Sequence, residues 1–226
     1  MNKNIVILGA SQGIGAALVE VFAANENNHV FALSRQIEKM QQTFSHRNVV
    51  SLKLDLMDQV HTQLKSLELP GQIDILINNA GLLINKPFES ITHHDFHASY
   101  QVNVIGIMEA TQALLPKLKA GAHIVNISSM GGFQGSLKFA GLAAYSTAKA
   151  ALCSFTEMFA EEYKETNIHM NCLCLGAVQT EMLTKAFPGY QAPTSPVQMA
   201  NFIANFAEHS GQLLNGKIIP VSANNP

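Results

Sequence analysis

The run Ile5-Val6-Ile7-Leu8-Gly9-Ala10-Ser11-Gln12-Gly13-Ile14-Gly15 decides the fold. Four apolar residues, three of them β-branched, read as a short strand buried on both faces. A glycine cluster follows, and then an apolar pattern of helical period over residues 13–25. Strand, glycine turn and helix in that order make the first half of a βαβ unit. Glycine lets the backbone turn tightly and lets an anionic group approach the amides at a helix N-terminus. The spacing is GxxxGxG rather than the commoner GxGxxG, and a plain βα turn would also satisfy it.

Outward from this turn, short β-rich runs alternate with longer helical patterns. Strands are expected at residues 5–8, 29–33, 49–54, 73–77, 123–128, 169–175 and 217–221. Helices are expected at residues 13–25, 37–44, 59–67, 92–119, 143–165 and 196–208. Such alternation predicts an α/β fold, a doubly wound parallel seven-stranded sheet with helices on both faces. Near-continuous apolar strands fit a sheet covered on both sides. Residues 1–226 then read as one domain, with 187–196 a loop too short to divide it.

Composition narrows the class. Hydrophobic residues make up 47% of the 226 and charged residues 13%, so intrinsic disorder is excluded. The formal net charge of −2 argues against a nucleic-acid binder, which needs a basic field. No apolar stretch approaches the roughly 20 residues that span a bilayer, and no secretory leader is visible, so a cytoplasmic protein is expected. Cys153, Cys172 and Cys174 are odd in number and sit in apolar contexts, which suits reduced core thiols. The expectation is that Cys172 and Cys174 point to opposite faces of their strand and that no metal is bound.

Open α/β sheets bind ligands at the carboxyl ends of their strands. The second strand ends in Ser34-Arg35, with no acid to accept a ribose 2′-hydroxyl. Serine and arginine there suit a 2′-phosphate, so NADP(H) is favoured and NAD(H) is the alternative. The fourth strand ends in Asn78-Asn79-Ala80-Gly81 and the fifth in Ser128-Ser129. A serine hydroxyl at such a tip can hold a substrate oxygen as charge develops on it. Downstream, Tyr145 and Lys149 are four residues apart on a helical pattern and share a face. An ammonium beside a phenol favours the phenolate, which suits a group that gives a proton in one direction and takes it in the other.

Taken in order, these motifs resemble the short-chain dehydrogenase/reductase family over nearly the whole chain. Gly9, Gly13 and Gly15 match its glycine motif, and Asn78-Asn79-Ala80-Gly81 matches its NNAG. Asn103, Ser129, and Tyr145 with Lys149 match its catalytic asparagine, serine and YxxxK, while Asp55-Leu56 resembles its adenine-contacting pair. The resemblance implies a three-layer Rossmann fold and hydride transfer between a nicotinamide and a small carbonyl or alcohol substrate. Tyr145 would be the acid/base, Lys149 would bind the nicotinamide ribose, Ser129 would orient the substrate, and Asn103 would hold a proton-relaying water. Ser11, Gln12, Ile14, Ala80, Gly176, Val178 and Thr180 would join the glycines in binding the cofactor.

Three departures stand out. Leu8 precedes Gly9 where the family has threonine, and Leu175-Gly176 replaces Pro-Gly. The segment 130–141 between Ser129 and Tyr145 is lengthened, as in the C-factor-like branch, and should wall the substrate site. That likeness leaves a cofactor-binding sensor or signalling protein as the alternative function.

Other features carry less. His93 and His97 have chelating spacing, but Thr92 followed by Asp95 reads as a helix cap. Met182, Phe187 and Tyr190 either line an apolar pocket or anchor a loop. The segment 143–165 is apolar on more than one face, so a homodimer or homotetramer is expected.

Overall fold

The computed structural model describes residues 2–222. Seven strands, β1 (Asn4–Leu8), β2 (His29–Ser34), β3 (Val49–Lys53), β4 (Ile73–Asn78), β5 (Leu118–Ser129), β6 (His169–Leu175) and β7 (Ile218–Val221), form one sheet. Every pairing is parallel and the order is β3-β2-β1-β4-β5-β6-β7. The chain therefore winds outward from β1 in one direction and from β4 in the other. The crevice at that reversal lies beyond the carboxyl ends of β1 and β4, where such sheets take ligands.

Strand alternation feeds two cores. Ile5 and Ile7 of β1 face one layer, where α1 (Gly13–Ala23), α2 (Ile37–Thr43) and α8 (Pro196–His209) pack. Val6 and Leu8 face the other, with α3 (Val60–Ser66), α5 (Gly106–Leu114) and α6 (Ala143–Glu162). All four side chains are fully buried, as the unbroken apolar run predicts. The long helix α8 starts cleanly because Ser195 and Gln198 form a reciprocal capping box and Pro196 occupies the first turn.

The predicted helix over residues 92–119 is corrected by the structure. It begins as α4 (His93–Tyr100), widens into a π-turn at Gln101–Ile105, continues as α5, and closes with a 3-10 turn at Leu115–Lys117. Pro116 cannot continue the ladder, and residues 118–119 already belong to β5. A six-residue helix, α7 (Glu181–Ala186), was not expected; the Thr180 hydroxyl caps it by accepting from the Leu183 amide. The fifth strand begins at Leu118, five residues before the expected start, and the other predicted helix and strand ends lie within three residues of those observed.

The reading of the cysteines is also corrected. Residues two apart on a strand share a face. Cys172 and Cys174 accordingly both turn to α6 and meet Cys153, with Sγ–Sγ distances of 3.8 and 3.6 Å to that residue. All three thiols are free and buried, beside Met130, Phe133 and Ile218. The bond to Cys153 and then burial push the Cys174 thiol up to about 12. At the start of α4, Thr92 and Asp95 form the expected capping box, and the rings of His93 and His97 lie 4.2 Å apart, tilted at 55°, both exposed.

Candidate active site

At the carboxyl edge of the sheet the strand tips surround a cavity of about 600 Å³. Its floor is the turn between β1 and α1. Gly9 takes φ +81°, in the left-handed region, and its amide donates to the Leu33 carbonyl at 2.8 Å. A side chain at Gly15 would strike the Gly9 carbonyl and Asn79. That close approach lets Asn79 donate to the Gly9 carbonyl at 2.9 Å, which locks the glycine turn to the end of β4. Gln12 precedes α1 with no side-chain cap, and no acid sits in the first turn, so the first amides of the helix stay available to an anion.

Along the floor, Ser34 donates to Ser11 at 2.9 Å and accepts from the Gln36 amide at 3.3 Å. Arg35 lines the cavity next to them and is exposed. Asp55 accepts from the Met57 amide at 2.9 Å and so shapes the turn after β3, with Leu56 buried behind it. Gly13, Ile14, Ala80, Gly81, Gly176, Val178 and Thr180 also line the cavity. Of the expected cofactor set only Gly15 lies outside the lining, as the packing partner of Gly9.

The other end of the cavity gathers Ser129, Tyr145 and Lys149. Ser129 closes β5, accepts from the Gly131 amide at 3.2 Å and starts the 3-10 turn Met130–Gly132. Tyr145 stands in the first turn of α6, Lys149 one turn later. Ser128 donates to the Lys149 carbonyl at 2.9 Å, so β5 and α6 are tied together at the site. Burial pushes the Tyr145 phenol up to about 12, and the Ser129 hydroxyl beside it acts in the opposite direction. The Lys149 ammonium lies 5.9 Å from the centre of the Tyr145 ring and donates to the Ile127 carbonyl at 2.8 Å. Burial pushes it down to about 8, against the pull of Cys172, Cys153 and Cys174. At neutral pH the pair is therefore a neutral phenol and a mostly charged amine: a proton donor with a cation behind it.

Asn103 sits inside the π-turn, fully buried and outside the cavity lining. Its Nδ2 donates to the carbonyls of Leu82 at 2.9 Å and Ser99 at 2.8 Å, and its Oδ1 accepts from the Leu82 amide at 3.1 Å. The side chain thus clamps the loop after β4 rather than reaching the cavity. The π-turn makes this possible by re-aiming one helix residue.

The segment 130–141 does line the cavity, through Leu137 and Phe139, whereas Leu83, Leu142 and Met199 escaped the sequence reading. Leu83, Leu137, Phe139, Leu142 and Met199 add to Met182, Phe187 and Tyr190 in an apolar wall. Leu83 and Leu142 stand in predicted loops and Met199 in the helix predicted over 196–208, so no shared pattern marked them.

Comparison with known proteins agrees with this geometry. Residues 3–191 match the short chain dehydrogenase family. Oxidoreductase UcpA of Salmonella typhimurium is 33% identical over 188 residues, covering 80% of this chain and 71% of the relative. Oxidoreductase BOA17 of Botryotinia fuckeliana is 33% identical over 216 residues, covering 92% and 76%. Among solved structures, ElxO with NADP bound superposes with a TM-score of 0.83 at 26% identity, covering 98% of this chain and 97% of its own. The Brucella melitensis 3-ketoacyl-(acyl-carrier-protein) reductase complexed with NADH reaches 0.86 at 22% identity, covering 97% and 96%, a likeness of fold. With a family model matched over most of its length and relatives one-third identical, the chain belongs to the short-chain dehydrogenase/reductase family of NAD(P)-dependent oxidoreductases.

Proposed function

We propose that the protein is an NADPH-preferring carbonyl reductase, working in reverse as an alcohol dehydrogenase, with Tyr145 as the proton donor. One observation carries this reading: Ser129, Tyr145 and Lys149 line the same cavity as the open amides of the glycine turn. The dinucleotide fits the residues present, because the uncapped start of α1 suits a pyrophosphate and the β2 tip offers Ser34 and exposed Arg35 without an acid. Arg35 forms no ion pair among the described residues, so its charge is available to a 2′-phosphate. ElxO with NADP bound and BdcA in complex with NADPH are structural neighbours whose ligands are in keeping with this preference.

When bound, the nicotinamide supplies or accepts the hydride. The chain does the rest. The Ser129 hydroxyl orients the substrate oxygen. Tyr145 gives that oxygen its proton as negative charge builds on it. Lys149 stabilises the phenolate left behind, from a position held by the Ile127 carbonyl. Asn103 is a positioning residue, which keeps the loop after β4 against this group. The purified protein should bind NADPH and oxidise it with carbonyl substrates. Tyr145→Phe should abolish turnover with the fold and NADPH binding retained; full turnover in that variant would overturn the mechanism.

The same reading extends to assembly and location. Ile105, Met108 and Met158 are exposed apolar residues on the π-turn, α5 and α6. We read this face as the contact of a homodimer or homotetramer formed by a single-domain, cytoplasmic chain. Among the described residues no helix is long and apolar enough to cross a membrane. A monomer by light scattering at micromolar concentration would contradict the assembly.

A further inference from the structure

The charge pattern of the cavity is lopsided. Its charged lining residues are Arg35, Asp55, Lys149 and Glu181. Arg35 and Asp55 stand at the tips of β2 and β3, on the far side of the crevice from Tyr145. Lys149 is buried and bonded to the Ile127 carbonyl. Glu181 is an acid. The wall beyond Ser129 and Tyr145 is built from Leu83, Leu137, Phe139, Leu142, Met182 and Phe187. Leu137 and Phe139 remain 67% and 59% exposed. Large apolar side chains left in water at the lip of a cavity are what an apolar ligand would cover.

The neighbouring lysines do not relieve this pattern. Lys86 is paired with Asp95 at 2.6 Å. Lys138 donates to the Phe133 carbonyl and to Ser136, both at 2.7 Å. Neither of them, nor Lys185, is part of the cavity lining. The wall is also built in advance of any ligand. Asn85 donates to the Ala186 carbonyl at 2.8 Å and the Lys86 amide to the Gly141 carbonyl at 3.0 Å. These bonds join the loop after β4 to the segments 137–142 and 182–190. The Gln179 amide donates to the Thr194 carbonyl at 2.9 Å, where Val178 and Thr194 pair, and this closes the base of the excursion that carries α7.

We infer that the substrate is a neutral ketone or aldehyde on an aliphatic or aromatic frame, and that carboxylated or phosphorylated carbonyl compounds are rejected. The inference rests on the carbonyl-reductase reading and adds the substrate class. An anion entering this wall would leave water without gaining a cation. A hydrocarbon body would instead cover Leu137 and Phe139.

A matched pair of probes tests this: ethyl phenylglyoxylate and phenylglyoxylate, which present the same ketone with and without a negative charge. With the wild-type chain and NADPH, the ester should exceed the acid by roughly 100-fold or more in kcat/KM. Leu137→Lys, at an exposed lip position, should narrow that ratio by about tenfold through better use of the acid. Displacement of each probe by the other in a binding assay on the NADP+ complex, which has no hydride to give, reads the same preference without turnover. Equal or better use or binding of the acid by the wild type overturns the inference and leaves the reductase reading standing. Failure of the protein to bind NADPH overturns the reductase reading instead, and the binding of the two probes to the free protein then still decides the charge preference.

Discussion

Lys149 reaches back across α6 to the end of β5 and donates a 2.8 Å hydrogen bond to the Ile127 carbonyl. One main-chain oxygen thereby holds the cation behind Tyr145. Burial works against that cation, and its pKa falls from 10.5 to about 8. A base with a depressed pKa carries its charge below that value and loses it above. Carbonyl reduction should accordingly be fastest below about pH 8 and decline as pH rises through it. Lys149→Met should lower kcat by roughly 100-fold or more and remove that inflection. A pH–rate profile of both proteins checks this; an unchanged inflection in the variant would assign it elsewhere.

Arg35 should decide between the two dinucleotides. Its guanidinium is exposed, unpaired among the described residues and next to the Ser34–Ser11 bond. Charge-assisted hydrogen bonds to a phosphate are worth ~1.5–3 kcal/mol, which corresponds to about 10- to 100-fold in affinity. Arg35→Ala should raise the KM for NADPH by at least about tenfold and leave that for NADH nearly unchanged. Parallel kinetics with the two cofactors would show it, and an equal loss with both would remove Arg35 from this role.

Much of this arrangement was legible before the structure. The central strands read clearly because both faces are buried and their apolar runs leave no other solution, as in Ile5–Leu8. Tyr145, Lys149 and Ser129 were legible because helix and strand periods place them at one edge. What escaped depends on contacts distant in sequence. The π-turn at Gln101–Ile105 shifts the helical phase by one residue within an unbroken helix-forming run, and the bonds of Asn103 to Leu82 mark it only in the folded chain. Asn78 and Asn79 look alike in sequence, yet Asn79 turns up to the glycine turn and Asn78 down into the core. The segment 130–141 was expected at the cavity wall, but the Lys86–Gly141 bond that ties Leu137 and Phe139 there was not legible. The thiol cluster was missed through a misapplied strand period, since residues two apart share a face.

His123 should make the fold acid-sensitive well before the carboxylates titrate. It is 3% exposed, and burial holds its pKa down to about 4 from an ordinary 6.5. One ring nitrogen, Nδ1, lies 3.0 Å from the Ala207 carbonyl, and Nε2 lies 2.9 Å from Asn171 Nδ2. The partners assign the proton to Nδ1, leaving Nε2 an acceptor. Below 6.5 the unfolded chain takes up a proton that the folded one refuses, so stability present above 6.5 is lost as pH falls toward 4. Between pH 7 and 5 the loss should be about 2 kcal/mol. Urea midpoints at the two pH values measure it, and His123→Gln should flatten the difference whatever it does to stability at pH 7.

The last prediction separates the core from the site on a single pair of strands. Asn78 donates to Asn126 at 2.7 Å, and Asn126 donates to Thr156 on α6 at 2.8 Å. Thr156 passes the chain on to the Leu152 carbonyl at 2.9 Å. All three side chains are fully buried, so the network joins β4 and β5 to α6 beneath the cavity without entering it. Asn126→Ala removes the close acceptor of Asn78, which keeps a longer bond to Thr111 at 3.3 Å, and the donor to Thr156, which keeps its bond to Leu152. It also opens a cavity, and each weakened buried group costs about 1–3 kcal/mol. The variant should lose roughly 2–4 kcal/mol of stability in urea unfolding. Below its unfolding transition it should keep the KM for NADPH, because Gly9 and Asn79 remain locked on the other side of the sheet edge. A large rise in that KM with little loss of stability would mean that the buried asparagines act on the cofactor site itself, and that the two neighbouring asparagines of β4 do not divide their work between core and cavity.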